Sequence, residues 1–211
     1  MWSVVVAAGA SERFGTPKQY ADLGGRRVLD WSVAAATAVS EGVIVVLPPD
    51  DAGAQGTVAG GATRAESVRN GLAAVPLAAE VVCVHDGARP FATAELFEAV
   101  IAAVRAGADG AVPALPVTDT IKIVDGDGVV QATPDRAALV AVQTPQAFGA
   151  DALRRAHAGG AEGTDDASLV ESVGGRVVTV PGALGNRKLT HPDDLEWARR
   201  QVAVAQVEGI E

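Results

Sequence analysis

The sequence predicts an α/β fold, a mostly parallel sheet with helices on both faces, and three observations carry that reading. Short Val-rich runs alternate with segments of helical periodicity along the chain. The composition is 48% hydrophobic but only 4% aromatic, so the core is built from Val, Ala and Leu, which suits strands buried on both faces. The 211 residues fit one domain (1–211) with a sizeable core, and no linker or internal repeat divides them.

Taken in order, residues 2–8 read as a buried strand ended by Gly9. Residues 29–39, LDWSVAAATAV, suit a helix with Leu29, Val33 and Ala36 on one face. GVIVVLPP at 42–49 is a second strand closed by prolines, and 50–62 is too rich in Gly and Ala for a helix to be assigned. Residues 64–75 are helical again. EVVCVHDGARP at 80–90 is a third strand running into a polar loop. A helix follows at 93–106, with Thr93 as N-cap and Glu95 in its first turn. GAVPALPV at 110–117 is another strand. RVVTVPG at 176–182 is the last, before a helix that starts near Pro192 with two Asp behind the proline.

One segment breaks the alternation. Residues 120–136 hold two β-type runs around Asp125-Gly126-Asp127-Gly128, and Asp-Gly pairs favour hairpin turns. An isolated hairpin is marginal in water, so this one packs either on another subunit or on its own domain, and spacing leaves both open.

Charge and cysteine content narrow the function classes. Charged residues at 20% exclude a disordered chain, and a net charge of −9 argues against non-specific nucleic-acid binding. Local cations can still dominate a cleft, so an anionic substrate fits. The lone Cys83, inside an apolar run, reads as a small buried hydrophobe, and it excludes an internal disulfide and a structural zinc cluster. No apolar run approaches the ~20 residues of a membrane helix, and no basic region precedes the short N-terminal apolar stretch. The expectation is a soluble, cytoplasmic protein.

Ligands of such sheets sit outside the carboxyl ends of strands. The loops after Ala8, Val84 and Val117 are therefore the candidates. Ala7-Ala8-Gly9-Ala10 offers backbone N–H groups to a phosphate without side-chain obstruction, although the sequence matches neither G-x-x-x-x-G-K-[ST] nor G-x-G-x-x-G. Arg13 and Lys18 add two cations, as transfer of a phosphoryl or nucleotidyl group requires; a tight turn with solvated cations fits the same residues. Asp86 ends a central strand and could hold Mg²⁺ or a sugar hydroxyl, with Arg89 suited to an oxyanion, or the two could form a structural pair in an Asp-Gly turn. Gly60-Gly61, ahead of Arg64 and Ser67, could present free N–H donors or be a flexible loop. Thr118-Asp119-Thr120 could hold a polyol or be an ordinary turn. Arg136 and Thr144 flank a short helical patch, and Lys188 lies in a basic loop before the last helix. His157 and His191 read as surface residues, and no histidine pair has metal-ligand spacing.

Seven pieces occur together: AAGASERF…PKQY at the start, GGATRAES at 60–67, HDGARPF at 85–91, PVTDTIK at 116–122, QTPQAF at 143–148, TDDAS at 164–168 and NRKLTHPDDL at 186–195. In this order, and over nearly the whole chain, they resemble the 2-C-methyl-D-erythritol 4-phosphate cytidylyltransferase family of the non-mevalonate isoprenoid pathway. The resemblance implies a Rossmann-like nucleotidyltransferase with a projecting β-hairpin arm at about 118–142, a homodimer, and Mg²⁺ or another divalent cation as cofactor. It implies that Ala7, Ala8, Gly9 and Ala10 wrap the CTP phosphates, and that Arg13 and Lys18 stabilise the pentavalent transition state. Gly61, Arg64 and Ser67 would lie by the cytosine and ribose. Asp86 would sit by the metal, the nucleotide or the erythritol hydroxyls, with Arg89 nearby. Thr120, Arg136, Thr144 and Lys188 would hold the methylerythritol phosphate, with Arg136 and Thr144 coming from the neighbouring subunit. The chain departs from the family pattern in a shorter loop between Arg13 and Lys18, in Ala62 where an acidic residue is common, and in an abbreviated 50–62 region. Two rival readings share the fold: a cytidylyltransferase for another sugar-alcohol phosphate such as ribitol 5-phosphate, and a non-catalytic nucleotide-binding module. Retention of Arg13 and Lys18 speaks against the second.

Overall fold

The computed structural model describes residues 1–9 and 14–207. Ala10 and Arg13, two of the residues singled out above, lie outside the described residues. The chain opens with β1 (Trp2–Val6). A small hairpin of β2 (Asp22–Leu23) and β3 (Arg26–Arg27) leads into α1 (Val28–Thr37). Asp30 accepts from the Arg27 backbone N–H at 3.0 Å and so closes that helix's first turn. Next come β4 (Gly42–Leu47), β5 (Thr57–Ala59) and α2 (Arg64–Ala73). After them, β6 (Val81–Asp86) is buried along its whole length, and α3 (Ala94–Arg105) has Thr93 at its N-cap position. β7 (Gly110–Pro116) is followed by β8 (Ile123–Val124), β9 (Val130–Ala132), β10 (Val140–Val142) and β11 (Gln146–Gly149). The chain continues through α4 (Ala150–His157), α5 (Asp166–Ser172), β12 (Val177–Pro181) and α6 (Pro192–Val207).

The main sheet runs β10-β7-β11-β6-β1-β4-β5, with β12 paired to β7. β1 lies parallel between β4 and β6, with Val6 level with both Val46 and Asp86. The carboxyl ends of β1 and β6 therefore emerge side by side, and Gly87 N–H donates back to the Val6 carbonyl at 2.9 Å. Val4, Val46, Val68, Val84 and Leu153 bury one face of the sheet under α2, α4 and α5; Val5, Cys83, Phe97 and Val100 bury the other under α1 and α3. Cys83 is fully buried, and burial pushes its thiol up to about 12, which removes it as a nucleophile. A third cluster, around Leu23, Val28, Leu189 and Ala198, seats α6.

The structure adds to the sequence reading in three places. Within 50–62, Thr57–Ala59 pairs parallel with β4, although nothing in its composition marks a strand. β11 inserts antiparallel between β6 and β7; its four residues carry one large apolar side chain, Phe148, too little for a periodic signal. His157, read as a surface residue, is 3% exposed, because α4 turns it inward against α5.

The arm of β8 and β9 forms as an antiparallel pair around the Asp-Gly turn. Asp125 accepts from the N–H groups of Asp127 (3.1 Å) and Val129 (2.9 Å), and Gly128 takes φ +82°, a conformation open to glycine. Ile123, Val124, Val129 and Val130 on this arm are all more than half exposed.

Gly71 shows how tightly α2 meets the sheet. A Cβ there would stand 2.5 Å from Val4 Cγ1 and 2.8 Å from Val46 Cγ2. Alanine normally gains about 1 kcal/mol over glycine within a helix. Here Gly71→Ala is expected instead to destabilise by about 1–3 kcal/mol through overpacking, measured by urea unfolding.

Candidate functional site

Two adjoining cavities lie at the carboxyl ends of β1 and β6. The first, about 390 Å³, is lined by Ala7–Gly9, Lys18, Gln19, Gly61–Arg64, Ser67, Asp86–Ala88 and Lys188. The second, about 260 Å³, is lined by Arg64, Asp86, Arg89, Val142–Thr144, Gln146, Thr164, Asp165 and Lys188. Arg64, Asp86 and Lys188 line both and form the divide between them. A two-lobed cleft of this kind has room for two ligands meeting over one set of charges.

The divide is an ionic cluster centred on Asp86. Lys188 Nζ lies 2.8 Å from its carboxylate, and the Nε atoms of Arg64 and Arg89 each lie 3.7 Å away. Burial pushes the Asp86 carboxyl up, but Lys188, Arg64 and Arg89 outweigh it and hold the group well below the usual carboxylate range. Asp86 is therefore a fixed anion that orients three cations. The same surroundings bear on the metal reading. A divalent ion at this carboxylate would share it with Lys188, Arg64 and Arg89 and would take its remaining ligands from substrate phosphates and water.

Arg64 is held from behind. Its NH1 lies 2.8 Å from Asp166, which is fully buried, and Asp166 Oδ1 accepts from His157 Nε2 at 3.0 Å. Asp166 stands within the TDDAS stretch, but its tie to Arg64 joins residues far apart in sequence, and periodicity gives no sign of it. The buried Gln143 and Asn186 were missed for the same reason. Gln143 Nε2 donates to the carbonyls of Ala183 (2.9 Å) and Asn186 (3.2 Å), and Arg89 NH1 donates to the Asn186 carbonyl at 2.8 Å. These bonds fix the loop that carries Lys188.

Several nucleotide-side amides do not meet the expectation of open backbone. Ala7, Ala8 and Gly9 line the first cavity, but the Ala7 N–H already donates to the Val46 carbonyl at 2.8 Å. Of the glycine pair, the Gly60 N–H donates to the Leu47 carbonyl at 2.8 Å and the Gly61 N–H to Ser67 Oγ at 3.1 Å. The Ala62 N–H donates to Glu66 Oε2 at 2.7 Å. The expectation of free donors ahead of α2 is thus corrected: these amides form an ordered rim, and Thr63 caps the helix by accepting from the Glu66 N–H at 3.1 Å. A Cβ on Gly61 would meet Glu66 Oε2 at 2.5 Å, so glycine is needed for that carboxylate to reach the rim. Lys18 opens a short 3-10 turn, Lys18–Tyr20, and lines the first cavity beside Gln19, a residue of the PKQY piece to which the sequence reading gave no role.

On the second lobe, Thr144 is 5% exposed, and its Oγ1 accepts from the Asp86 N–H at 3.0 Å. The resemblance implied that Thr144 comes from a neighbouring subunit. The structure seats it instead in its own chain's cleft, because β10 and β11 fold back onto β7 and β6 and carry the intervening residues to Asp86. Thr120 and Arg136 lie on the exposed arm, outside the cleft of their own chain; Arg136 NH1 donates to the Thr118 carbonyl at 2.8 Å.

His85, next to Asp86, is fully buried, and burial lowers it from 6.5 to about 4. A histidine lowered in the fold leaves the unfolded chain binding more protons between those values. Its stabilisation is complete above pH 6.5 and is lost as pH falls toward 4. The expected size is about 3 kcal/mol. Urea unfolding between pH 7 and 4.5 should show a shallower loss for His85→Gln than for the wild type.

The similarities to known proteins agree with this geometry. Residues 1–203 match the family model described as IspD, 2-C-methyl-D-erythritol 4-phosphate cytidylyltransferase. The chain is 45% identical to the bifunctional enzyme IspD/IspF of Solidesulfovibrio magneticus over 92% of its own length and 55% of that protein. It thus spans about half the length of the bifunctional relatives it matches. It is 45% identical to 2-C-methyl-D-erythritol 4-phosphate cytidylyltransferase of Streptomyces avermitilis, over 95% of this chain and 91% of that one. The crystal structure of the Thermus thermophilus protein of the same name superimposes with a TM-score of 0.81 at 38% identity, covering 95% of this chain and 98% of the other.

Proposed function

The chain belongs to the 2-C-methyl-D-erythritol 4-phosphate cytidylyltransferase family, and on that premise we propose that it transfers the cytidylyl group of CTP to 2-C-methyl-D-erythritol 4-phosphate. A phosphate oxygen of the acceptor attacks the α-phosphorus in line. The bond from that phosphorus to the β-phosphate oxygen breaks, and pyrophosphate leaves. The product is 4-(cytidine 5′-diphospho)-2-C-methyl-D-erythritol, an intermediate of isoprenoid precursor biosynthesis.

The observation that carries this reading is the two-lobed cleft whose divide is the Arg64–Asp86–Lys188 cluster. CTP fits the lobe bounded by Ala7–Gly9, Lys18 and the Gly61–Ser67 rim. The acceptor fits the lobe bounded by Arg89, Thr144 and Lys188. Its phosphate then lies against cations at the boundary, where attack on the α-phosphate takes place. The attacking monoester is ionised near neutral pH and needs no general base. Catalysis is positioning plus charge neutralisation by Lys18 and by Arg13. The divalent cation enters as part of the substrate, bound to the triphosphate, with Asp86 as the carboxylate that it would meet in the cleft.

Pyrophosphate release from CTP and Mg²⁺ should appear with 2-C-methyl-D-erythritol 4-phosphate. Release with ribitol 5-phosphate in its place would assign the rival acceptor. No release with any sugar-alcohol phosphate would leave a nucleotide-binding module.

We also propose that the protein acts in the cytoplasm as a homodimer, joined through the arm. Among the described residues, no helix is long and apolar enough to cross a membrane. The exposed valines and isoleucine of the arm support a second copy as the covering surface. The partner's arm would then bring its Thr120 and Arg136 to the acceptor lobe. Val130→Asp is expected to convert the dimer to monomer by light scattering and to lower kcat/KM for the acceptor more than for CTP. A dimer that survives this change points to packing of the arm elsewhere.

A further inference from the structure

His85 has no role in the sequence motifs as read above, and the mechanism does not use it. The structure places it in a chain of directional hydrogen bonds. His85 Nε2 lies 3.2 Å from the Arg89 carbonyl, and His85 Nδ1 lies 3.1 Å from Thr144 Oγ1. A carbonyl only accepts, so the Nε2 atom carries the ring proton. In the uncharged ring Nδ1 is then an acceptor and takes the Thr144 hydroxyl proton. That same hydroxyl oxygen accepts from the Asp86 N–H at 3.0 Å. The ring is fully buried against Phe97, with centroids 5.2 Å apart, so no water replaces either bond.

Two consequences follow from this order. The turn from Asp86 to Arg89, closed by the Arg89 N–H donating to the Asp86 carbonyl at 3.0 Å, is clamped at both ends by one imidazole and one hydroxyl. The single donor proton of Thr144 is also committed inward, so all that its hydroxyl can still offer the acceptor lobe, which Thr144 lines, is a lone pair. A phosphate oxygen needs donors and gains nothing from it. A hydroxyl of a polyol can donate to it.

We propose that His85 is a positioning residue of the acceptor site, which sets the direction of the Thr144 hydrogen bond and makes Thr144 an acceptor for a substrate hydroxyl rather than a ligand of its phosphate. The inference rests on the cytidylyltransferase reading and concerns its acceptor lobe alone.

The test combines a spectrum with kinetics. In ¹⁵N-histidine-labelled protein, His85 should show a protonated Nε2 and a bare Nδ1. A protonated Nδ1 overturns the proposal without any variant. Thr144→Val and His85→Leu should each lower kcat/KM for the acceptor by ~10-fold or more, the range of a lost buried hydrogen bond, while KM for CTP stays within about twofold. The double variant should lose no more than the worse single one, because both break one chain. Multiplying effects, or a His85→Leu enzyme with wild-type acceptor kinetics, would sink the idea. Thr144→Ser should recover most of what Thr144→Val loses. His85→Asn, whose Oδ1 can accept as Nδ1 does, should recover more than His85→Leu. Failure of either rescue also counts against the proposal. An inactive wild type with every sugar-alcohol phosphate would instead overturn the underlying reading, so the two failures are distinguishable.

Discussion

Lys18→Ala is expected to lower kcat by at least ~100-fold, with a smaller change in KM for CTP, in steady-state assays of pyrophosphate release. In-line transfer builds charge on the α-phosphate oxygens and on the departing pyrophosphate, and a cation aimed at that charge acts on the transition state more than on bound CTP. Lys18 is suited to this by its setting. It opens the 3-10 turn Lys18–Tyr20, which is closed by Tyr20 N–H donating to the Pro17 carbonyl at 3.0 Å and Ala21 N–H to the Lys18 carbonyl at 3.1 Å. The Tyr20 hydroxyl, in turn, is tied to Asp51. Lys18 thus lines the first cavity from an anchored segment. A Lys18→Ala enzyme with undiminished kcat removes Lys18 from catalysis. Lys18→Arg tests charge against shape, because the two cations differ in reach and geometry.

The second large effect is on stability. Asp166→Ala is expected to destabilise the fold by about 3–5 kcal/mol, the range for removing one partner of a buried ion pair. Asp166 has no exposed surface and serves two groups, Arg64 NH1 at 2.8 Å and His157 Nε2 at 3.0 Å. The substitution leaves a buried imidazole without its acceptor and frees Arg64 from its rear support. Urea unfolding at pH 7 measures the first effect. A loss below about 1 kcal/mol would show that water or relaxation replaces the carboxylate. The surviving folded fraction should bind CTP more weakly, because Arg64 then leans on Asp86 alone.

Much of this could be read before the structure. The strands at 2–6, 42–47, 81–86, 110–116 and 177–181 announced themselves, because parallel strands buried on both faces must be nearly continuous apolar runs. Their alternation with helices placed Ala7–Gly9 and Asp86 at neighbouring strand ends. β11 stayed hidden because Gln146–Gly149 is held by its partners β6 and β7 rather than by its own residues. His157 and Asp166 stayed hidden because charge suggests exposure, and only the contact between α4 and α5 reverses that. Thr144 was seen, but its placement in its own chain depends on where β10 and β11 dock. The amides ahead of α2 looked open because a glycine pair signals bare backbone. Which acceptors engage them is decided by Ser67 and Glu66, six and four residues further on.

That rim bears on where binding free energy resides. Gly60, Gly61 and Ala62 enter the encounter with their hydrogen bonds already made. Any contact a nucleoside makes with those amides is an exchange of one partner for another, which contributes little net affinity while still favouring a matching shape. The cations facing the phosphates meet a ligand charge that a nucleoside lacks. Calorimetric titration should therefore show cytidine binding far more weakly than CTP. Under the proposed function, the rim is then a gauge of fit for the base, and the cations of the cleft supply the hold on the phosphates.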